Sequence, residues 1–229
     1  MPQILYHKLE KHLSEPRLGR YLLASLGRKT KAKRLYKANL QVAQAFQPLL
    51  SMLEVVLRNG LNDALTVRFS DSDWIINQQS GFMSDPSLRH GNFYLQREVG
   101  KAINRLTRNH ITVTSGNVIA EQSFGFWTEL FEPYHYRLIG GCPLRVFAHL
   151  PRQFKRSHIS KELLKIRLFR NRISHNEPVC FGMNRVDFTL VEEVHDSILN
   201  ILGWIEPELV TWVKDLDQVK PAIKKAQSP

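Results

Sequence analysis

Apolar side chains recur at helical spacing along this chain, and that periodicity constrains the fold more than any other feature. Leu49, Leu53, Leu57, Leu61 and Leu65 fall four residues apart, with Leu50 and Val56 beside them. Residues so spaced line one face of a helix. No stretch alternates apolar and polar residues strongly enough to read as a strand. The pattern predicts an all-α fold, with additional helices toward the N-terminus.

Ser14-Glu15-Pro16 reads as a helix start, because proline is tolerated in a first turn. That helix is expected to end near Gly27, and the charged residues 28–34 to form a loop. Residues 35–69 read as a long helix, kinked or broken at Pro48. Residues 70–92 are turn-rich and predict an ordered surface loop around Trp74, with room for a short helix. A helix over 93–108, a connector over 109–117 and a helix over 118–131 follow. Phe124, Phe126, Trp127 and Phe131 in the last are expected in the core, and Pro133 to end it. A short helix is expected over 144–150. Ser160 reads as the cap of a helix running to Ser174, and Thr189 with Glu192 as a capping box for another. Pro207 should open a helix containing Trp212, and the chain should fray from Pro221. This gives a basic N-terminal helix and loop over 1–34, a helical domain over 35–215 and a tail over 216–229.

The chain has 229 residues, 43% hydrophobic, which suffices for a buried core. No apolar run nears the length of a membrane span, and the N-terminus does not read as a signal peptide. Two cysteines, Cys142 and Cys180, lie far apart without metal-ligand spacing. The expectation is a cytoplasmic protein with reduced thiols, no membrane association, no bound metal and no cofactor. The net charge of +11 favours a polyanionic partner. Between Glu15 and Glu54 there is no acidic residue, while Arg17, Arg20, Arg28, Lys29, Lys31, Lys33, Arg34 and Lys37 lie in that interval. Arg28, Lys29, Lys31, Lys33 and Arg34 are candidate RNA-contacting residues; the alternative is a solubilising face.

The segment Arg170-Asn171-Arg172-Ile173-Ser174-His175-Asn176-Glu177-Pro178 carries the chemistry. An arginine followed about five residues later by a histidine is a weak pattern, and Arg105 to His110 and Arg152 to His158 also fit it. Context selects Arg170 and His175. Arg170 falls on the apolar stripe of Leu163, Ile166 and Ile173, where a semi-buried guanidinium needs an anion or a strong acceptor. Asn171 and His175 are four apart, so the carboxamide can orient the imidazole. Asn176 and Pro178 stop the helix. The competing account is an ordinary basic helix whose arginine is satisfied by Glu54 or Glu177.

The segment resembles the signature of HEPN domains, and in particular the Abi-like (abortive infection) family. That family typically has Arg-Asn-Arg-Ile-Ala-His-His-Glu-Pro at this place. Glu54-Val55-Val56-Leu57-Arg58-Asn59 resembles its Glu-x-x-Leu-Arg-Asn helix, and Ser123-Phe124-Gly125-Phe126-Trp127 its Phe-Gly-Phe-Trp segment. Ile166-Arg167-Leu168-Phe169 leads into the signature. The likeness spans residues 50–212. Ser174 stands for the usual alanine and Asn176 for the usual second histidine.

The resemblance implies an HEPN-like bundle and a homodimer in which two arginine–histidine motifs share a cleft. It implies a metal-independent endoribonuclease of phage-defence or toxin type. Arg170, Asn171 and His175 are then the catalytic candidates. Glu54, Arg58, Asn59, Asn176 and Glu177 are supporting, and Arg167 and Arg172 join the RNA contacts. The alternatives are an RNA-binding module without cleavage, or an interaction domain paired with an antitoxin or a defence-system partner. Paired metal-ligand spacing and a glycine-rich phosphate loop are both missing, which disfavours a metallohydrolase and a nucleoside triphosphatase.

Overall fold

The computed structural model describes residues 4–183 and 185–227. Among them the fold is all-α, with 72% helix and 2% strand. In chain order the α-helices are α1 (Tyr6–Leu13), α2 (Glu15–Ala24), α3 (Lys29–Ala45), α4 (Gln47–Phe69), α5 (Trp74–Asn77), α6 (Tyr94–Arg108) and α7 (Ser115–Ala120). They continue as α8 (Phe124–Glu129), α9 (Pro133–Leu138), α10 (Arg156–Ser174), α11 (Thr189–Ile205), α12 (Pro207–Val213) and α13 (Val219–Gln227). A two-stranded antiparallel hairpin, β1 (Phe181–Gly182) and β2 (Arg185–Val186), pairs Phe181 with Val186.

The chain divides into two compact units, each assembled from separated stretches. The first comprises residues 1–51, 168–199 and 211–229; the second comprises 52–167 and 200–210.

In the first unit α3 packs against α2 and α13. Tyr21 of α2 meets Tyr36 and Phe181 edge-on or tilted at 5.1 Å, and Phe46 meets Phe169 at 4.7 Å. Asn39 of α3 is buried, and its Oδ1 accepts the main-chain N–H of Val179 at 2.8 Å and of Cys180 at 3.2 Å. One carboxamide thus satisfies two amides that would otherwise be orphaned in the interior. His195 of α11 is buried, with Nε2 2.6 Å from Asp217 Oδ2, while Asp217 Oδ1 accepts the Val219 amide at the start of α13.

In the second unit α7 packs on α5 and α6. Trp74, Phe126, Trp127 and Phe131 are fully buried, so the aromatic stripe is core. The Trp74 indole donates to Asn62 Oδ1 at 3.0 Å. Gly60 sits where an added Cβ would fall 2.8 Å from Val146 Cγ1, so α4 requires a residue without a side chain there.

Several boundary expectations are corrected. Residues 28–34 do not form a loop: from Lys29 they are the first turns of α3. The break between α3 and α4 falls at Phe46, and Pro48 sits in the first turn of α4, where its missing N–H is not needed. The single helix expected over 118–131 is two, α7 and α8. Pro133 opens α9 rather than ending a helix. Ser160 lies inside α10, its hydroxyl donating to Glu132 at 3.2 Å. Thr189 is the first residue of α11, and Asp187 Oδ1 accepts its amide at 2.9 Å. The expected 144–150 helix is a short 3-10 turn over Cys142–Val146. The stretch from Pro221 does not fray through its described residues: it is helical, with Ile223 buried. Ahead of the helix expected from Ser14, residues 6–13 form a separate helix, α1.

One helical stretch, Lys29–Phe69, is long and apolar enough over an 18-residue window to cross a membrane by length and composition, at mean hydropathy 1.3 with 39% of the window buried. Its leucines at 49, 53, 57, 61 and 65 are all buried, as a core helix requires. Cys142 and Cys180 are buried and free, and burial pushes the Cys180 thiol up to about 12.

Candidate active site

Helix α10 ends in a left-handed turn. The Asn176 amide donates to the Ile173 carbonyl at 3.0 Å and the Glu177 amide to the Arg172 carbonyl at 2.8 Å. Asn176 has φ 56°, a conformation that asparagine adopts more readily than most residues. This paired closure makes His175 the helix cap and leaves it exposed. Arg170 is half-buried and is also held by an interaction within the chain, and Asn171 is exposed.

Three arginines secure the turn. Arg172 donates to the Pro178 carbonyl and lies 3.8 Å from Glu177 Oε2. Arg17 of α2 donates to the Asn176 carbonyl at 2.7 Å. Arg20, one turn later on α2, donates to the Met183 carbonyl at 2.7 Å and lies over the Phe181 ring at 4.5 Å. The residues 176–183 are therefore pinned from α2, α3 and α10. In the sequence Arg17 and Arg20 stand out only as part of an acid-free interval. Their spacing of three placed them on one helix face, but nothing local named carbonyls some 160 residues away as their acceptors.

His175 and Asn171 are joined by a main-chain bond, the His175 amide donating to the Asn171 carbonyl at 2.9 Å. No side-chain hydrogen bond links them among the described residues, so the carboxamide does not orient the ring in this state.

The remaining candidates divide. Arg167 belongs to the second unit, where Nη1 is 3.3 Å from Thr128 Oγ1 and 3.9 Å from Glu129 Oε2. Burial, and then the neighbouring Glu132, push the Glu129 carboxyl above its ordinary range, and Arg167 offsets part of that. Glu54, Arg58 and Asn59 also lie in the second unit; Glu54 and Arg58 are half-buried and Asn59 exposed. The N-terminal cations do not form one strip. Lys33 Nζ donates to the Ile4 carbonyl at 2.7 Å and Lys29 Nζ lies 5.5 Å from the Tyr6 ring centre, both toward α1. Lys31 and Arg34 face a groove beside α13, and Arg28 is exposed at the head of α3.

No group of three or more histidine, cysteine, aspartate or glutamate side chains among the described residues is placed to hold a metal ion. Compared with known proteins, the chain matches no family model, no curated protein and no solved structure.

Proposed function

We propose that this chain is a cytoplasmic endoribonuclease of the HEPN type, Abi-like in its motifs, that cleaves RNA as a homodimer without a metal. The observation that carries this reading is the presentation of His175. A pinned, left-handed turn holds an exposed imidazole at the end of a helix whose preceding turns bring a half-buried arginine, Arg170. In the homodimer of this reading, a second copy supplies the second histidine that the chemistry uses.

RNA carries its own nucleophile. One His175 takes the proton of the 2′-hydroxyl, O2′ attacks phosphorus, and the bond to the 5′-oxygen breaks. His175 of the second copy gives that oxygen a proton. The products are a 2′,3′-cyclic phosphate and a 5′-hydroxyl. An imidazole titrates near neutrality, which suits both roles. Arg170 clamps the phosphate and offsets the charge that develops on it. Asn171, exposed beside His175, is free to bond a phosphoryl oxygen. The net charge of +11 draws the polyanion to the surface.

The test is cleavage of single-stranded RNA in EDTA. Arg170→Ala and His175→Ala should each abolish it while leaving a folded dimer. Undiminished cleavage by either variant removes that residue from the mechanism. A second reading, an RNA-binding or partner-binding module of a defence or toxin–antitoxin system, draws support from the ring of His175 having no orienting side chain. It predicts salt-sensitive RNA binding without product.

A further inference from the structure

The first unit carries an open groove of about 670 Å³. Its long wall is α3, which contributes Lys31, Arg34, Leu35, Lys37, Ala38 and Gln41. Val186, Phe188 and the first turn of α11 also line it, and the end of α13 adds Lys225. Arg170, Asn171 and His175 do not line it. Lys31 to Gln41 spans ten residues, about 15 Å of helix at the usual rise.

We propose that this groove binds an acidic amphipathic helix, about three turns long, presented by a partner protein.

The chemistry of the walls points to that occupant. Leu35, Ala38 and Val186 give the lining an aliphatic part, and the cations Lys31, Arg34, Lys37 and Lys225 line the same groove. Two carboxylates also line the groove, Asp187 and Glu192. Asp187 is already bonded to the Thr189 amide at 2.9 Å at the positive end of α11. The lining is left net cationic, while its aliphatic part favours apolar side chains. An amphipathic helix with leucines on one stripe and glutamates along its edges meets both demands. Single-stranded RNA fits less well, because channels for it interleave cations with exposed rings on which bases stack. The single ring lining this groove, Phe188, is 4% exposed. On this proposal Lys31 and Arg34, candidate RNA contacts by sequence, contact a protein partner. The proposal stands whether or not the chain cleaves RNA.

The experiment is selection of random dodecapeptides displayed on phage against the full chain, with counter-selection against the double variant Lys31→Glu, Lys37→Glu. Both lysines are exposed, and circular dichroism confirms the fold of each variant before use. The expected survivors carry Glu or Asp together with Leu or Ile at helical spacing. A fluorescein-labelled survivor should bind the native chain saturably by anisotropy, less tightly at raised salt. Its affinity should fall about tenfold in the double charge reversal, the sum of two or more ion pairs. It should fall again in Ala38→Glu, which alters the aliphatic part of the lining. The proposal is overturned if no peptide distinguishes the native chain from both variants. It is equally overturned if oligouridine binds the native chain, loses affinity in both variants, and is not displaced by the selected peptides.

Discussion

The Arg17 guanidinium donates to the main-chain carbonyl of Asn176 at 2.7 Å, tying α2 to the turn that immediately follows His175. The bond is exposed, so its net contribution to stability is about 0.5–1 kcal/mol. Its effect on the turn is larger than its effect on the fold. Arg17→Ala should speed hydrogen exchange at the Asn176 and Glu177 amides and leave residues 124–131 unchanged. It should also lower RNA cleavage by more than the small loss of stability explains. Unaltered exchange at those two amides would show that the clamp does not hold the turn.

The left-handed backbone at Asn176 gives a second prediction. Asn176→Gly should leave stability nearly unchanged, because glycine adopts φ 56° without strain. Asn176→Val places a β-branched side chain in that region and should cost about 1–3 kcal/mol. Urea unfolding of the two variants checks the order; equal stabilities would contradict a left-handed cap.

Asn39 supplies a third. Its buried carboxamide oxygen accepts two amides, those of Val179 and Cys180. Asn39→Ala leaves both without a partner and should destabilise the chain by about 2–4 kcal/mol. Asn39→Leu fills the space without supplying an acceptor and should lose nearly as much. The comparison is made by thermal unfolding, and a leucine variant as stable as the native chain would refute the role of the oxygen.

His135 sets a pH dependence. It is buried in the second unit, with Nδ1 3.6 Å from Glu129 Oε1, and burial holds its imidazole below the ordinary value. The unfolded ring takes a proton below pH of about 6.5, whereas the folded ring resists. Its contribution to stability is therefore complete above that pH and is lost as the pH falls toward the lowered folded value. His135→Leu should unfold with less loss of stability between neutral and mildly acidic pH than the native chain. Parallel losses would place the acid sensitivity elsewhere.

Much of the helical content was legible in sequence because the leucines of α4 repeat at helical spacing over four turns. The breaks were not, since proline reads alike as a stop and as a start. Pro133 opens α9 and Pro48 sits harmlessly in a first turn. Ser160 and Thr189 resemble caps, but Asp187 performs the capping at Thr189 because its carboxylate reaches the free amide. The candidate site was legible as a contiguous motif from Arg170 to Pro178. Its support was not, because Arg17, Arg20 and Asn39 reach it through carbonyls and amides rather than through any sequence pattern. The charge surplus between Glu15 and Glu54 was visible, but its division among a loop clamp, α1 and a groove follows from the angular position of each side chain on α2 and α3.

The central claim is that Arg170 and His175 cleave RNA through its own 2′-hydroxyl. Its most direct test uses one single-stranded RNA, unmodified or with deoxyribose throughout, incubated with the native protein in EDTA and analysed by mass spectrometry. The account predicts fragments ending in 2′,3′-cyclic phosphate from the RNA alone, none from the deoxy strand, and none from either strand with His175→Ala. Cleavage of the deoxy strand at a comparable rate, or an intact RNA under conditions where the native protein binds it, would contradict the account.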